Sequence, residues 1–420
     1  MCGICGFVGN GNIQDLRRMN TALAHRGPDD EGLWHDTHRG VFLGHRRLSI
    51  IDLEHGAQPM WSGDGAIGVI SNGEIYNHGA LRDELEKKGH AFHTDHSDTE
   101  VLIYGYREWG EDLPHKLNGM WAFALYDKGK NRLFISRDRF GKKPLYYSLQ
   151  NGAFAFASEL RALVRHQSIS ANISKRSLKK YFAYGYIPAP LSLYEGIYKL
   201  PGGCNLFLDI SRLDYSIRKY WDFVLDPFER IPKNPEEEWG ETVRALLSQA
   251  VKRRLMSDVP LGVFLSGGMD SSSVAACAAA LVGSERIKTF SIGFEESSFD
   301  ESHHADRVAS LIGAQHRLTY LSLERAKTLL PEIAKRLDEP MGDSSLLPTY
   351  LLCRETRKHV TVALGGDGAD ELFAGYDPFR ALRRASFYDR VIPGPVHEGI
   401  RMLAARLPVS HRHMSFDFRL

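Results

Sequence analysis

From residue 259 onward the sequence alternates short apolar runs with helical periodicity, and that alternation admits few folds. Residues 259–265 read as a buried strand, 269–282 as a helix, 287–294 as a strand, 301–312 as a helix, 316–321 as a strand, 324–337 as a helix and 360–364 as a strand. Parallel strands cannot be joined by a hairpin; each needs a long crossover, usually a helix. The expected architecture is an α/β doubly wound parallel sheet. A helix is expected ahead of it, over 236–255, after a Pro-rich stretch ending at Pro235.

The first half follows a different rule. Apolar or alternating runs at 41–45, 67–71, 120–127, 132–137 and 153–157 are separated by Gly, Asp and Asn turns, the mark of strands. A helix is expected over 15–24, with a stripe at Leu16, Met19 and Leu23. Another opens at Ser97-Asp98-Thr99-Glu100, a capping-box pattern, and runs to about Trp109. An α+β layered domain accounts for this mixture. The 420 residues are enough for about two or three domains. Lys+Arg 53 against Asp+Glu 52 leaves a net charge of +1, which excludes a strongly basic nucleic-acid binder. The 5 cysteines are irregularly spaced and fit a reduced, cytoplasmic protein better than a disulfide framework. The N-terminus lacks the basic and apolar regions of a signal peptide, and the apolar run 274–282 is too short to span a bilayer.

Met1-Cys2-Gly3-Ile4-Cys5-Gly6 is the first chemical signal. Removal of Met1 would leave Cys2 with its own α-amine, whose ordinary pKa of about 7.7–8.0 suits a general base for the thiol. Cys2 and Cys5 also have the spacing of a redox pair or half a zinc site, and a plain buried cysteine is a third reading; for Cys5 the last is expected. Thiolate attack on a carboxamide needs an oxyanion hole, which the Asn72 amide and the Gly73 N–H can supply. An amino-acid substrate needs its carboxylate held, for which the forked guanidinium of Arg47 is suited, and its amine held, for which Glu74 and Asp98 are suited. A hairpin turn, a surface arginine and a helix cap are the plainer readings of the same residues.

Six motifs occur in order: Cys2-Gly3-Ile4, His25-Arg26-Gly27-Pro28-Asp29, Arg47-Leu48-Ser49-Ile50, Asn72-Gly73-Glu74-Ile75-Tyr76-Asn77, Ser97-Asp98-Thr99-Glu100 and Arg137-Asp138-Arg139-Phe140-Gly141. Together they closely resemble the class II glutamine amidotransferase domain of asparagine synthetase. The resemblance implies an N-terminal-nucleophile hydrolase sandwich (αββα) and glutamine hydrolysis through a Cys2 thioester. It implies that Arg47 binds the glutamine carboxylate, that Asn72 and Gly73 form the oxyanion hole, and that Glu74 and Asp98 hold the amine. Leu48, Ser49, Ile50 and Ile51 would line the pocket. Gly63-Asp64-Gly65-Ala66-Ile67-Gly68 matches a dinucleotide fingerprint but leads into a strand rather than a helix, so a hairpin turn is expected there.

The second signal is Leu265-Ser266-Gly267-Gly268-Met269-Asp270-Ser271, where a strand runs through glycines directly into a helix. Free backbone N–H groups, hydroxyls and a helix N-terminus together make an anion cradle, and no Walker-type Gly-Lys-Ser/Thr follows. This loop resembles the pyrophosphate loop of ATP pyrophosphatases, which cleave ATP between the α- and β-phosphates. The resemblance implies that Leu265, Ile292, Gly365 and Gly366 contact the nucleotide and that Ser266, Gly267, Gly268 and Ser271 hold the pyrophosphate. It implies Mg²⁺ on Asp270 and Asp370, and a catalytic acidic residue at Asp367. Glutaminase supplies ammonia and adenylation supplies its electrophile, so a dry passage is implied.

The family pattern is broken in places. Gly365 stands where many relatives carry Ser, and Asp367 where the best-known members carry Glu. Asp343-Ser344-Ser345 lacks the Arg that those enzymes place near the acceptor. Aspartate is the favoured acceptor, with a sugar carboxylate in polysaccharide synthesis, or a glutaminase-only remnant, as alternatives. The family's catalytic Lys lies downstream of residue 420, so a truncated chain is expected. The expected division is a glutaminase domain at 2–215, a linker at 216–235 and a synthetase domain at 236–420. Partners are expected to be small molecules, without nucleic acid or membrane, and a homodimer is compatible with the sequence.

Overall fold

Two six-stranded sheets, antiparallel in every recorded pairing, pack face to face in the first part of the chain. Their strands are β1 (Gly3–Gly9), β2 (Asp30–Asp36), β3 (Val41–Arg47), β4 (Met60–Trp61), β5 (Ile67–Ile75), β6 (Gly119–Asp127), β7 (Arg132–Arg137), β8 (Tyr146–Gln150), β9 (Ala153–Ala157), β10 (Ile197–Lys199), β11 (Cys204–Asp209) and β12 (Asp214–Lys219). One sheet has the order β10-β8-β9-β1-β3-β2 and the other β12-β11-β7-β6-β5-β4. This computed structural model describes residues 1–225, 231–296 and 300–404. One compact unit comprises Met1–Pro260, Ala326–Tyr350 and His359–Val362; the other comprises Leu261–Arg325, Leu351–Lys358 and Ala363–Leu420.

Strand alternation sorts side chains onto two faces of each sheet. Ile4, Val8, Val41, Leu43, Phe154 and Phe156 of one sheet meet Ile70, Ala122, Ala124, Leu133, Ile135 and Leu206 of the other in the central core. The complementary rows face outward and are covered by helices. Cys5, Phe7 and Phe42 pack with Leu16 and Met19 of the Ile13–Ala22 helix and with Leu23, which caps its C-terminus. Val69, Trp121, Phe123 and Phe134 pack with Leu81, Leu85, Val101 and Leu102 from the His78–Lys87 and Glu100–Trp109 helices. The result is an αββα sandwich, the layering expected from the sequence.

Local details depart from the sequence reading. The first helix begins at Ile13 because Asn12 caps it: its Oδ1 accepts the Gln14 N–H at 2.8 Å, and Asp15 Oδ2 accepts the Asn12 N–H at 3.0 Å. The capping box expected at Ser97–Glu100 is not formed. Thr99 is the N-cap residue and makes no side-chain cap, while Glu100 accepts from the His93 and Thr94 N–H groups, each at 2.9 Å. Tertiary partners outbid the local one. Asn72–Glu74, read as following a strand, lie inside β5. In the run 63–68, residues 63–66 belong to the turn that joins β4 to β5 as an antiparallel pair, and residues 67–68 begin β5. The stretch 216–219, read as linker, pairs in the sheet as the end of β12, and part of the rest, 226–230, lies outside the described residues.

Ala326–Tyr350 belongs to this same unit. The carboxylate of Asp338 accepts from Arg161 Nε at 2.9 Å, and Glu339 accepts from the Leu193 N–H at 2.8 Å and Lys199 Nζ at 2.6 Å.

The second unit contains a sheet of order β15-β14-β13-β16, with β13 (Leu261–Phe264), β14 (Lys288–Phe294), β15 (Gln315–Leu321) and β16 (Val362–Leu364). β13, β14 and β15 run parallel, joined by the Met269–Val282 and Ser302–Ile312 helices. Sequence order runs outward from β13 to β15, then returns to β16 on the other side of β13. That reversal creates a topological switch point beyond the ends of β13 and β16. The Leu346–Thr356 helix was not anticipated.

Gly6 shows how tightly the sandwich is packed. A Cβ there would meet Phe156 Cζ and the Phe42 carbonyl oxygen, each at 2.6 Å. Gly6→Ala is expected to cost about 1–3 kcal/mol as overpacking, measured by urea unfolding; an unchanged midpoint would contradict the close approach.

Candidate active site

The pocket forms where the inner-face rows of three strands turn polar. Along β5, Ile70 lies in the central core, and alternation carries the same face on to Asn72 and Glu74. Along β3, Val41 and Leu43 are followed on that face by His45 and Arg47. Cys2 continues the row of Ile4 from β1, whose register places Gly3 opposite Arg46. Met1, Cys2, Arg47, Leu48, Ile50, Ile51, Asn72, Gly73, Glu74 and Asp98 line one cleft, together with Gly56, Gln58 and Lys143. Ser49 is the exception to the expected set. It does not line the cleft, and its N–H is instead bound by Asp29 Oδ2 at 2.9 Å.

Cys2 is held from two sides. Arg26 Nε donates to its carbonyl at 2.9 Å, and the Leu48 N–H donates to its sulfur at 3.4 Å. Burial pushes the thiol up, and the Leu48 N–H, the terminal amine and Lys143 pull it back. Cys5 is fully buried on the opposite face of β1, where burial pushes its thiol up strongly. Both cysteines are free, so they form neither a disulfide nor, among the described residues, part of a metal cluster.

Arg47 is buried, its guanidinium donating to the carbonyls of Leu53 at 3.0 Å, Ile51 at 3.3 Å and Asp52. Those carbonyls position the fork and leave part of it unused. Asn72 is 1% exposed, and its Nδ2 has no partner among the described residues. A buried amide donor without an acceptor is costly, so it is a group waiting for one. Gly73 is required beside it, because a Cβ would lie 2.4 Å from the Met120 carbonyl oxygen. Asp98 Oδ2 accepts the Ile75 N–H at 2.9 Å, which fixes that carboxylate against the end of β5. Burial pushes Glu74 up to about 7, and the nearby Asp98 charge adds to the effect. His45 bridges the sheets through Nε2 to the Ser71 carbonyl at 3.1 Å, and burial pushes it down to about 3, so it is neutral.

Gly56, Gln58 and Lys143 were not singled out from the sequence. Gln58 accepts the Ser71 N–H at 2.6 Å and donates to Thr99 Oγ1 at 3.1 Å. A lysine in a Gly-Lys-Lys-Pro run ordinarily reads as solvated surface, and nothing in the sequence marks Lys143 as buried. Gly56 carried a weak signal as a glycine near the Arg47 motif.

In the second unit the loop after β13 is knitted by its hydroxyls. Ser266 Oγ and Ser271 Oγ are 2.9 Å apart, and the Gly268 N–H donates to Ser266 Oγ at 3.3 Å. Gly267 has φ +85, and a Cβ would lie 2.5 Å from His304 Cβ, so glycine is needed twice over. Asp270 lies in the first turn of the following helix. The loop after β16 comes to the same place: a Cβ on Gly366 would lie 2.7 Å from the Ser271 nitrogen and 3.1 Å from Asp270 Cβ. Asp367 Oδ2 sits beside Gly365, and the Gly375 N–H donates to the Asp370 carbonyl at 3.0 Å. Leu265 is 1% exposed, and Ile292 is half-buried on β14. Among the described residues no group of three or more His, Cys, Asp or Glu forms a metal cluster. Asp270, in the first turn after the Ser-Gly-Gly loop, is a carboxylate of the kind that suits Mg²⁺, which keeps its waters and takes substrate phosphates as ligands.

Comparison with known proteins agrees with this architecture. Residues 1–221 match the glutamine amidotransferase domain model, and 242–417 match that of asparagine synthase. The chain is 38% identical to asparagine synthetase [glutamine-hydrolyzing] 1 of Bacillus subtilis, over 98% of this chain and 65% of that protein. It is 38% identical to a putative asparagine synthetase [glutamine-hydrolyzing] of Methanocaldococcus jannaschii, over 97% of this chain and 81% of that one. The chain belongs to the glutamine-hydrolysing asparagine synthetase family. It spans about two thirds of the length of the Bacillus relative. A further relative, amidase chry2 of Gibberella zeae, is 32% identical over 91% of this chain and 60% of that protein, so not every relative bears the synthetase name. No helix among the described residues is long and apolar enough to cross a membrane.

Two outcomes follow from the pocket. Glu74, raised from 4.5 to about 7, holds its proton more tightly folded than unfolded. Its contribution to stability is full below the unfolded value and is lost as pH rises through about 7. Glu74→Gln should therefore raise the melting temperature relative to the parent chain above this window and change it little below; a pH-independent difference in thermal unfolding would contradict the shift. Gly56→Ala would place a Cβ 2.1 Å from Arg47 Nη2 and should weaken glutamine binding, measured by calorimetry, while leaving ATP binding unchanged.

Proposed function

We propose that the chain is a glutamine- and ATP-dependent amidotransferase of the asparagine-forming kind. Removal of Met1 frees the Cys2 amine, which takes the thiol proton. The sulfur attacks the glutamine carboxamide carbon, and the oxyanion is received by Asn72 Nδ2 and the Gly73 N–H. The amine returns its proton to the leaving ammonia, and water then cleaves the thioester to glutamate. Arg47 holds the substrate carboxylate, and Glu74 with Asp98 holds its amine. The observation that carries this reading is the unpartnered Asn72 Nδ2, buried in the cleft that Cys2 also lines.

In the proposed synthetase domain, residues 236–420, the switch-point loops bind ATP. Ser266, Gly267, Gly268 and Ser271 take the pyrophosphate part, and Leu265, Ile292, Gly365 and Gly366 the remainder. Asp270 and Asp370 would hold Mg²⁺, whose chemistry is to neutralise phosphate charge. Asp367 stands beside the acceptor. Adenylation of the acceptor carboxylate releases pyrophosphate; attack by ammonia then releases AMP. Aspartate is the favoured acceptor, supported by the names of the relatives. A sugar carboxylate is the second reading, favoured by the lack of an arginine in Asp343-Ser344-Ser345, where the Ser345 N–H is turned back onto Asp343 Oδ1 at 2.8 Å.

Incubation with glutamine, ATP, Mg²⁺ and aspartate tests the reading: AMP and asparagine alongside glutamate would support it in full, and glutamate with no AMP would restrict the chain to a glutaminase. Cys2→Ala should abolish glutamate formation and spare ATP binding. Asn72→Ala should lower glutaminase turnover by about 10²–10³ with a much smaller change in glutamine affinity. Equal losses in both would make Asn72 a ground-state contact.

A further inference from the structure

Lys143 is a buried cation in the cleft, 5% exposed, and the glutaminase reaction as written gives it no task. Its backbone is fixed by the N–H bond to Asp138 Oδ2 at 3.0 Å, and its Nζ donates to Met1 Sδ at 3.2 Å. A thioether is a weak acceptor, and no carboxylate of a described residue lies within 4.0 Å of this nitrogen. A buried ammonium with so little compensation is expensive, and folds keep such groups where charge is used. The acceptor it does have belongs to the residue whose removal exposes Cys2.

We propose that Lys143 is a positioning residue: once Met1 is gone, its ammonium faces the new terminus and holds the Cys2 amine in its neutral, proton-accepting form while favouring the thiolate. The inference rests on the Cys2 reading above. The charged groups around Lys143 are Glu74 from β5, Arg26 from the loop before β2, Asp138 from the end of β7 and Cys2 itself. Burial pushes Lys143 down, and Glu74 pulls it back. Around Cys2 the groups are Asp98, which opposes the thiolate, and the Met1 amine and Lys143, which favour it. A positive neighbour makes a second ammonium costlier and a thiolate cheaper, so one cation serves both halves of the nucleophile–base pair.

The test is the pH profile of glutamate formation by the full chain and its Lys143→Met and Lys143→Arg variants, with the N-terminus of each verified by mass spectrometry. Lys143→Met keeps the stem and removes the charge. Its rising limb in kcat/KM should move up by about one pH unit, with KM for glutamine unchanged on the plateau, and Lys143→Arg should keep the parent limb. Iodoacetamide labelling of Cys2 needs no turnover and should show the same upward shift. An unmoved limb in Lys143→Met with a raised KM would make the lysine a binding group or partner of Glu74 and overturn the proposal. Equal losses of melting temperature and activity in both variants, with unmoved labelling profiles, would reduce it to packing. Hydrolysis surviving in Cys2→Ala would instead overturn the Cys2 reading.

Discussion

The antiparallel register between β1 and β3 is the constraint on which the first site depends. Pairing Gly3 with Arg46 brings Cys2 to the end of the ladder, where the Leu48 N–H reaches its sulfur. The side-chain period of a strand is two, so a slip of one residue would send Cys2 to the helix-covered face and bring Cys5 inward. The hydrophobic rows forbid that slip. Ile4 and Val8 belong to the central core, and Cys5 and Phe7 to the outer one. Core packing, rather than any contact with substrate, thus aims the thiol.

The same logic explains how a sandwich core can end in a charged pocket. Arg47, Asn72 and Glu74 continue inner-face rows that are aliphatic earlier on the same strands, at Val41 and Leu43 and at Ile70. Each is tolerated because backbone groups compensate it or because a ligand is to do so. Three carbonyls take the Arg47 fork, and an N–H takes Asp98. Glu74 and Asn72 are left under-compensated, as the raised carboxyl and the unpartnered amide indicate. A pocket with unmet donors and acceptors fits the proposed glutamine substrate, whose charges would complete it.

The second unit reaches its cradle by a different route. Strand order reverses beside β13, and loops following β13 and β16 therefore converge without any long excursion. Glycines set the closeness of that approach. At Gly366 a side chain would strike the backbone of the first turn after the Ser-Gly-Gly loop, and at Gly267 it would strike the Ser302–Ile312 helix. Helix N-terminus, hydroxyls and bare backbone then share one concavity, the arrangement that favours phosphate.

Much of this was legible in the sequence because it rests on local periodicity. Strand–helix alternation announced the parallel sheet, the alternating runs announced the layered half, and the ordered motifs carried the family and most of the cleft's residues. The sequence could not show that Ser97–Glu100 would forgo its local cap, since the competing His93 and Thr94 N–H groups reach the Glu100 carboxylate only when the chain folds. It could not exclude Ser49 from the cleft, because that depends on which way one loop residue turns toward Asp29. Nor could it reveal the buried Lys143 or the need for Gly56. Residue type and spacing determined which chemistry was available; the packing of two sheets decided which groups lost their water, and burial is what turns an ordinary amide, carboxyl or ammonium into a working one.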